Sequence, residues 1–165
     1  MKQNQALPAC EYGGKPLPSQ PNPSAHILMV DDDVLIRQVN VEMLSRAGYE
    51  VDAAEDGADA WEALTNCNYD LLITDNTMPR LSGVELLKNL HTGRISLPTI
   101  MATGTLPQHE FSRYPWLRPA ATLTKPYTSE ELLLTVKKVL HADVGIWEQT
   151  VPQSTNQGPA PSDRL

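Results

Sequence analysis

The chain has 165 residues, a formal net charge of -7, and 20% charged against 41% hydrophobic residues. That length holds one domain with some chain to spare, and the composition is that of an ordinary globular protein. The acidic balance, without a Lys/Arg cluster, argues against nucleic acid or an anionic membrane as a direct partner. No apolar run is long enough to span a bilayer and no signal pattern opens the chain, so a cytoplasmic location is expected.

Residues 1–24 carry Pro8, Pro16, Pro18, Pro21 and Pro23 with few apolar residues, and read as a disordered Pro-rich arm. His26-Ile27-Leu28-Met29-Val30 is a short apolar run ended by Asp31-Asp32-Asp33, as in a buried first strand. Asp33 is placed to cap a helix from Val34 to Ala47, with Leu35, Val39, Met43 and Ala47 expected inward and Gly48 as the stop. Tyr49 to Ala54 is a second strand, and Asp56-Gly57 opens a helix to about Asn66 with Ala60, Trp61 and Leu64 inward. Cys10 and Cys67 are too few and too far apart to suggest a metal site or a disulfide framework.

Asp70 to Thr74 is the third strand and runs straight into Asp75. Ser82-Gly83-Val84-Glu85 then has the pattern of a capping box for a helix to about His91. Pro98 to Thr103 is a fourth strand. Pro107, Pro115 and Pro119 leave only about Gln108 to Arg113 for a fourth helix, with Trp116 on the irregular stretch beyond it, exposed or partly buried. Ala120 to Thr124 is a fifth strand. Thr128-Ser129-Glu130-Glu131 is a second capping box, leading a last helix with Leu132, Leu133, Val136, Val139 and Leu140 inward. Residues 143–165 lose the period and read as a disordered tail, leaving one domain over 25–142.

Strand and helix thus alternate five times, the pattern of an α/β fold with a parallel sheet covered on both faces. In such sheets ligands bind beyond the carboxyl ends of the strands. That edge collects Asp31 and Asp32, Asp75, Thr103 and Lys125. Carboxylates ~5 Å apart at an effective dielectric of 20 repel by roughly 3 kcal/mol per pair, a cost that folding alone does not require. A divalent cation reverses the sign. Mg²⁺ takes hard oxygen ligands and is commonly shared between carboxylates and a phosphate. Lys125 would then hold a phosphate oxygen, Thr103 would donate to another, and Asp75 would attack phosphorus.

These residues give the chain a resemblance. Val30-Asp31-Asp32, Asp75 followed by Met78-Pro79 and Gly83, Ala102-Thr103, and Lys125-Pro126 are similar to the motifs of a response-regulator receiver domain of a two-component phosphorelay. The resemblance covers roughly residues 25–142. It implies a flavodoxin-like sheet of order 2-1-3-4-5 and a phosphoryl group accepted on Asp75. It implies Mg²⁺ held by Asp31, Asp32, Asp75 and the backbone carbonyl of Thr77. Thr103 and Lys125 would contact the phosphoryl group, and the Lys125-Pro126 bond would be cis. The implied partners are a sensor histidine kinase or histidine phosphotransfer protein, and an unknown downstream protein. With no output domain in the sequence, the expectation is a stand-alone receiver that is a phosphoacceptor rather than an enzyme. One departure is Thr122, which stands where the family often carries an aromatic residue. That departure keeps open a phosphorylation-independent scaffold, which the intact acids and lysine oppose. An aspartate-nucleophile phosphohydrolase of the haloacid dehalogenase type fits less well: its signature misses at Leu35, and no second acid pair follows Lys125.

Overall fold

The structure is a computed structural model and describes residues 25–142. The arm expected over 1–24, the tail expected over 143–165 and Cys10 lie outside the described residues. Five parallel strands, β1 (His26–Val30), β2 (Glu50–Ala54), β3 (Leu71–Thr74), β4 (Thr99–Thr103) and β5 (Ala121–Thr124), form one sheet in the order β2-β1-β3-β4-β5. Five helices follow them in alternation: α1 (Val34–Arg46), α2 (Gly57–Asn66), α3 (Gly83–Thr92), α4 (Gln108–Arg113) and α5 (Ser129–Ala142). The fold is therefore the flavodoxin-like one that the alternation and the resemblance imply.

The central strands read as unbroken apolar runs because both of their faces are covered. Alternate residues go to opposite layers. Ile27, Met29, Leu71, Ile73, Ile100 and Ala102 meet Leu44 of α1 and Leu132, Val136 and Val139 of α5. Leu28, Val30 and Leu72 meet Ala60 and Leu64 of α2 and Leu86 and Leu90 of α3. The fourth helix is as short as the prolines require. A 3-10 turn, Pro115–Leu117, follows it and inserts Leu117 against Val84 and Met101.

The helix starts are built as their sequences suggest. The Asp33 carboxylate accepts from the Leu35 and Ile36 amides at 2.8 and 3.1 Å. Ser82 with Glu85 and Thr128 with Glu131 form reciprocal capping boxes. Two local expectations are corrected. Leu35 and Val39 of α1 do not face inward; they are 69% and 57% exposed, while Asn40 and Leu44 are the buried pair. Apolar residues lie all around this helix, so its period does not select one face. Asn40 is accommodated inside because its amide donates to the Tyr127 hydroxyl at 2.9 Å. Cys67, which closes α2, is disulfide-bonded. Distance in space, not separation along the chain, decides whether a cysteine pairs.

The turn from β3 into α3 is tight. A Cβ on Gly83 would lie 2.3 Å from the Asp75 carbonyl oxygen and 3.0 Å from the Asn76 Cα. These are backbone atoms that cannot swing aside. Gly83→Ala is expected to lower stability by roughly 1–3 kcal/mol, the usual cost of overpacking. A urea melt checks this, and an unchanged midpoint would contradict the close approach.

Candidate functional site

The parallel ladder carries each polar residue to one edge of the sheet. Val30 pairs with Thr74, so the next residues, Asp31 and Asp75, leave neighbouring strands side by side. The ladder continues past the strand ends: the Asp75 amide donates to the Val30 carbonyl at 3.1 Å, and the Lys125 amide to the Thr103 carbonyl at 3.0 Å. Three of the expected residues meet directly. Lys125 Nζ lies 2.6 Å from Asp31 Oδ2 and 2.6 Å from Asp75 Oδ2. Each carboxylate spends its other oxygen on backbone. Asp31 Oδ1 accepts from the Asp33 amide at 3.0 Å, and Asp75 Oδ1 accepts from the amides of Asn76 and Thr77.

Asp32 is exposed, yet it can bring an oxygen within 4.8 Å of those of Asp31 and Asp75. Among the described residues, three carboxylates therefore share one edge with a single ammonium, and the excess charge is negative. Hard oxygen donors at that spacing, with Asp31 and Asp75 buried and Asp32 open to solvent, suit a divalent cation such as Mg²⁺. Thr103 is buried at the end of β4, and its hydroxyl donates to the Thr105 carbonyl at 3.4 Å, a long bond. It is near the edge but is not bonded to Asp75. Thr77 is exposed and touches Asp75 through its amide. The Lys125-Pro126 bond is cis.

Several supporting residues were not legible in the sequence. Arg37 of α1 donates to the Asp31 carbonyl. Asn76 accepts at its carbonyl from the Gly83 amide at 3.1 Å and at its side chain from the Val84 amide at 3.2 Å. Arg80 reaches back to Asp56 and Asp59 at the start of α2. A Tyr127-to-Asn40 contact ties the segment after Lys125 to α1. None of these has a local pattern to announce it. Trp116 is 48% exposed and stacks on His91 with ring centroids 4.1 Å apart.

Burial pushes the Asp31 carboxyl above its ordinary range, an effect that the Lys125 bond and the Asp33 amide only partly offset. Burial alone would lower Lys125. The bonds to Asp31 and Asp75 outweigh it and hold the ammonium above its ordinary value.

Comparison with known proteins agrees with this geometry. A family model described as the response regulator receiver domain matches residues 27–137. The response regulator MprA of Mycobacterium ulcerans is 36% identical over 119 residues, covering 71% of this chain and 50% of that protein. The transcription factor SKN7 of Candida albicans is 30% identical over 122 residues, covering 74% of this chain and 22% of that protein. The chain thus spans half or less of the length of these relatives. Among solved structures, the chemotaxis response regulator CheY4 of Vibrio cholerae superposes with a TM-score of 0.64 at 31% identity, covering 71% of this chain and 99% of that one. The response regulator TrrA of Thermotoga maritima, solved in complex with Mg²⁺-BeF, superposes with a TM-score of 0.61 at 34% identity, covering 70% of this chain and 98% of that one.

A carboxyl raised on folding makes the folded state bind more protons than the unfolded chain. The stability it costs at neutral pH is therefore recovered as pH falls through the raised value towards the ordinary one. Asp31→Asn removes that cost and leaves Lys125 paired with Asp75. Without metal, the variant is expected to be more stable than wild type at pH 7, on the order of 1 kcal/mol. The gap should close on acidification. Metal-free melts of both proteins across pH test this, and a less stable variant at neutral pH would contradict it.

Proposed function

This chain belongs to the response regulator receiver domain family, and on that footing we propose that Asp75 accepts a phosphoryl group from a phosphohistidine in a Mg²⁺-dependent relay. The receiver unit is taken as residues 25–142. The observation that carries the reading is the bridge from Lys125 to both Asp31 and Asp75, with Asp32 within metal-holding distance.

Asp31, Asp32 and Asp75, with the Thr77 carbonyl, are the residues that would hold Mg²⁺. When bound there, the ion offsets charge on the transferring phosphoryl group. The rest falls to the chain's own side chains. Asp75 is the nucleophile. One of its oxygens bonds to phosphorus while the P–N bond of the donor breaks. The bonding pair stays on the imidazole nitrogen, and the product is an acyl phosphate on Asp75. The amides of Asn76 and Thr77 hold Asp75 Oδ1 and so fix the plane of the carboxylate. Lys125 exchanges its carboxylate contacts for a phosphoryl oxygen, staying charged because its pKa is raised. Thr103 has a long bond to give up, and its hydroxyl turns to a second phosphoryl oxygen.

The donor is a sensor histidine kinase or a histidine phosphotransfer protein, and the recipient of the signal is a further protein; the reading carries a cytoplasmic location. Such a donor must approach over the rim of the site. There Val34, Leu35 and Val39 expose apolar surface, and Leu35 and Val39 line a groove of about 570 Å³ with Lys125 and Tyr127. Thr122 lies exposed on β5, with no aromatic ring to swing between the site and the outer face. The chain acts as a phosphoacceptor that assists its own modification rather than as a turnover enzyme.

Asp75→Asn is expected to abolish Mg²⁺-dependent labelling by a small acyl-phosphate donor, while wild type takes up about one equivalent of base-labile, hydroxylamine-sensitive phosphate. Undiminished labelling of the variant would overturn the assignment of Asp75.

A further inference from the structure

We infer that Arg80 is a positioning residue for the metal side of this site, latching the loop after Asp75 onto the start of α2. This rests on the reading of Asp75, Asp31 and Asp32 as the phosphoacceptor and its Mg²⁺ ligands. Arg80 holds a φ of 60°, a left-handed conformation that non-glycine residues seldom adopt. From there its guanidinium runs back across the sheet edge to three acids. Nε donates to Asp56 Oδ2, Nη2 lies 2.7 Å from Asp59 Oδ1, and Nη2 lies 3.6 Å from Glu55 Oε1.

Asp56 is 2% exposed, and both its oxygens are used. Oδ1 caps α2 through the Ala58 and Asp59 amides at 2.8 and 3.1 Å, and Oδ2 takes Arg80. A buried carboxylate in this setting needs a cation, and among the described residues Arg80 is the one that reaches it. The same three acids could otherwise bring oxygens within 4.8 Å of one another, as the metal trio does. The guanidinium fills that second cluster, so the divalent ion is left with Asp31, Asp32 and Asp75.

The contact fixes backbone as well as charge. The Gly57 amide donates to the Leu81 carbonyl at 3.2 Å, and a Cβ on Gly57 would come within 2.3 Å of that oxygen. Arg80 and Leu81 are therefore pinned to Asp56 and Gly57. At its other end the loop is pinned by the amides of Asn76 and Thr77 on Asp75 Oδ1. Thr77, Met78 and Pro79 lie between the two pins, and Thr77 supplies the carbonyl expected to face the ion. Cutting the Arg80 pin frees that span, and metal binding must then order it.

The test uses Arg80→Met, with Mg²⁺-dependent labelling by a small acyl-phosphate donor and Mn²⁺ binding counted by electron paramagnetic resonance of the free ion. The half-saturating Mg²⁺ for labelling and the Mn²⁺ dissociation constant at the Asp75 site are expected to rise ~10-fold, as for other residues that orient metal ligands, with labelling restored at saturating Mg²⁺. Asp59→Asn removes one Arg80 partner while sparing the Asp56 cap. It should give a smaller shift in the same direction, and the double variant should be no worse than Arg80→Met alone. A role confined to fold stability would lower the melting temperature and leave both metal readings where they are. Unchanged metal readings in folded Arg80→Met, or in Asp59→Asn if Arg80→Met does not fold, would overturn the latch while wild-type labelling keeps the functional reading intact. A wild type that neither takes label nor binds Mn²⁺ would overturn both.

Discussion

Lys125 sits 2.6 Å from a carboxylate oxygen at the end of β1 and 2.6 Å from another at the end of β3, and much of the site depends on that shared contact. Two buried acids on adjacent strands repel each other, and a sheet that places them side by side has to compensate. One ammonium does so partially. It holds Asp31 and Asp75 in place with their free oxygens turned to backbone amides, and it leaves the edge with an excess of negative charge. That excess suits a divalent cation and, on the proposed function, the phosphoryl group that would follow it. A fully neutralised edge would be more stable and would have less affinity for either.

The compensation works because the scaffold beneath it is rigid. β1, β3 and β4 are covered by helices on both faces, so their carboxyl ends cannot shift relative to one another without disturbing two cores. The loop beyond β3 is tightened by close approaches at Gly57 and Gly83, where backbone occupies the space a side chain would take. Capping boxes at Ser82 and Thr128 start α3 and α5 close behind the site. On the fourth-helix side the structure is thinner. α4 has 6 residues, none of them buried, and β5 alternates partly buried and exposed positions, so Thr122 and Thr124 meet solvent.

Much of this was legible in the residues. The alternation of apolar runs with helical periods, ended by Asp31, Asp75, Thr103 and Lys125, predicts both the sheet and the edge where these residues gather. Strand and helix boundaries fall within about two residues of those read from periodicity, with the capping acids and hydroxyls marking the helix starts. The inward face of α1 was not legible. Leu35 and Val39 have the right spacing for a core stripe, but the helix turns Asn40 and Leu44 inward and leaves the expected pair exposed beside the site. A period identifies a face only when the opposite face is polar, and on this helix it is not.

The sequence by itself determined what is local or periodic: five strands, five helices, their caps, and acids and a lysine at strand ends. Those signals arise from backbone geometry and from the hydrophobic effect acting on neighbours a few residues apart. Tertiary structure decided which side chains meet. Lys125 finds Asp75 and Asp31 at separations of 50 and 94 residues, Asn40 finds Tyr127 at 87, and Arg80 finds Asp56 at 24. No period spans such distances. The contacts exist because strand order and register bring chain ends together at one edge of the sheet, where each buried charge or amide takes the partner within its reach.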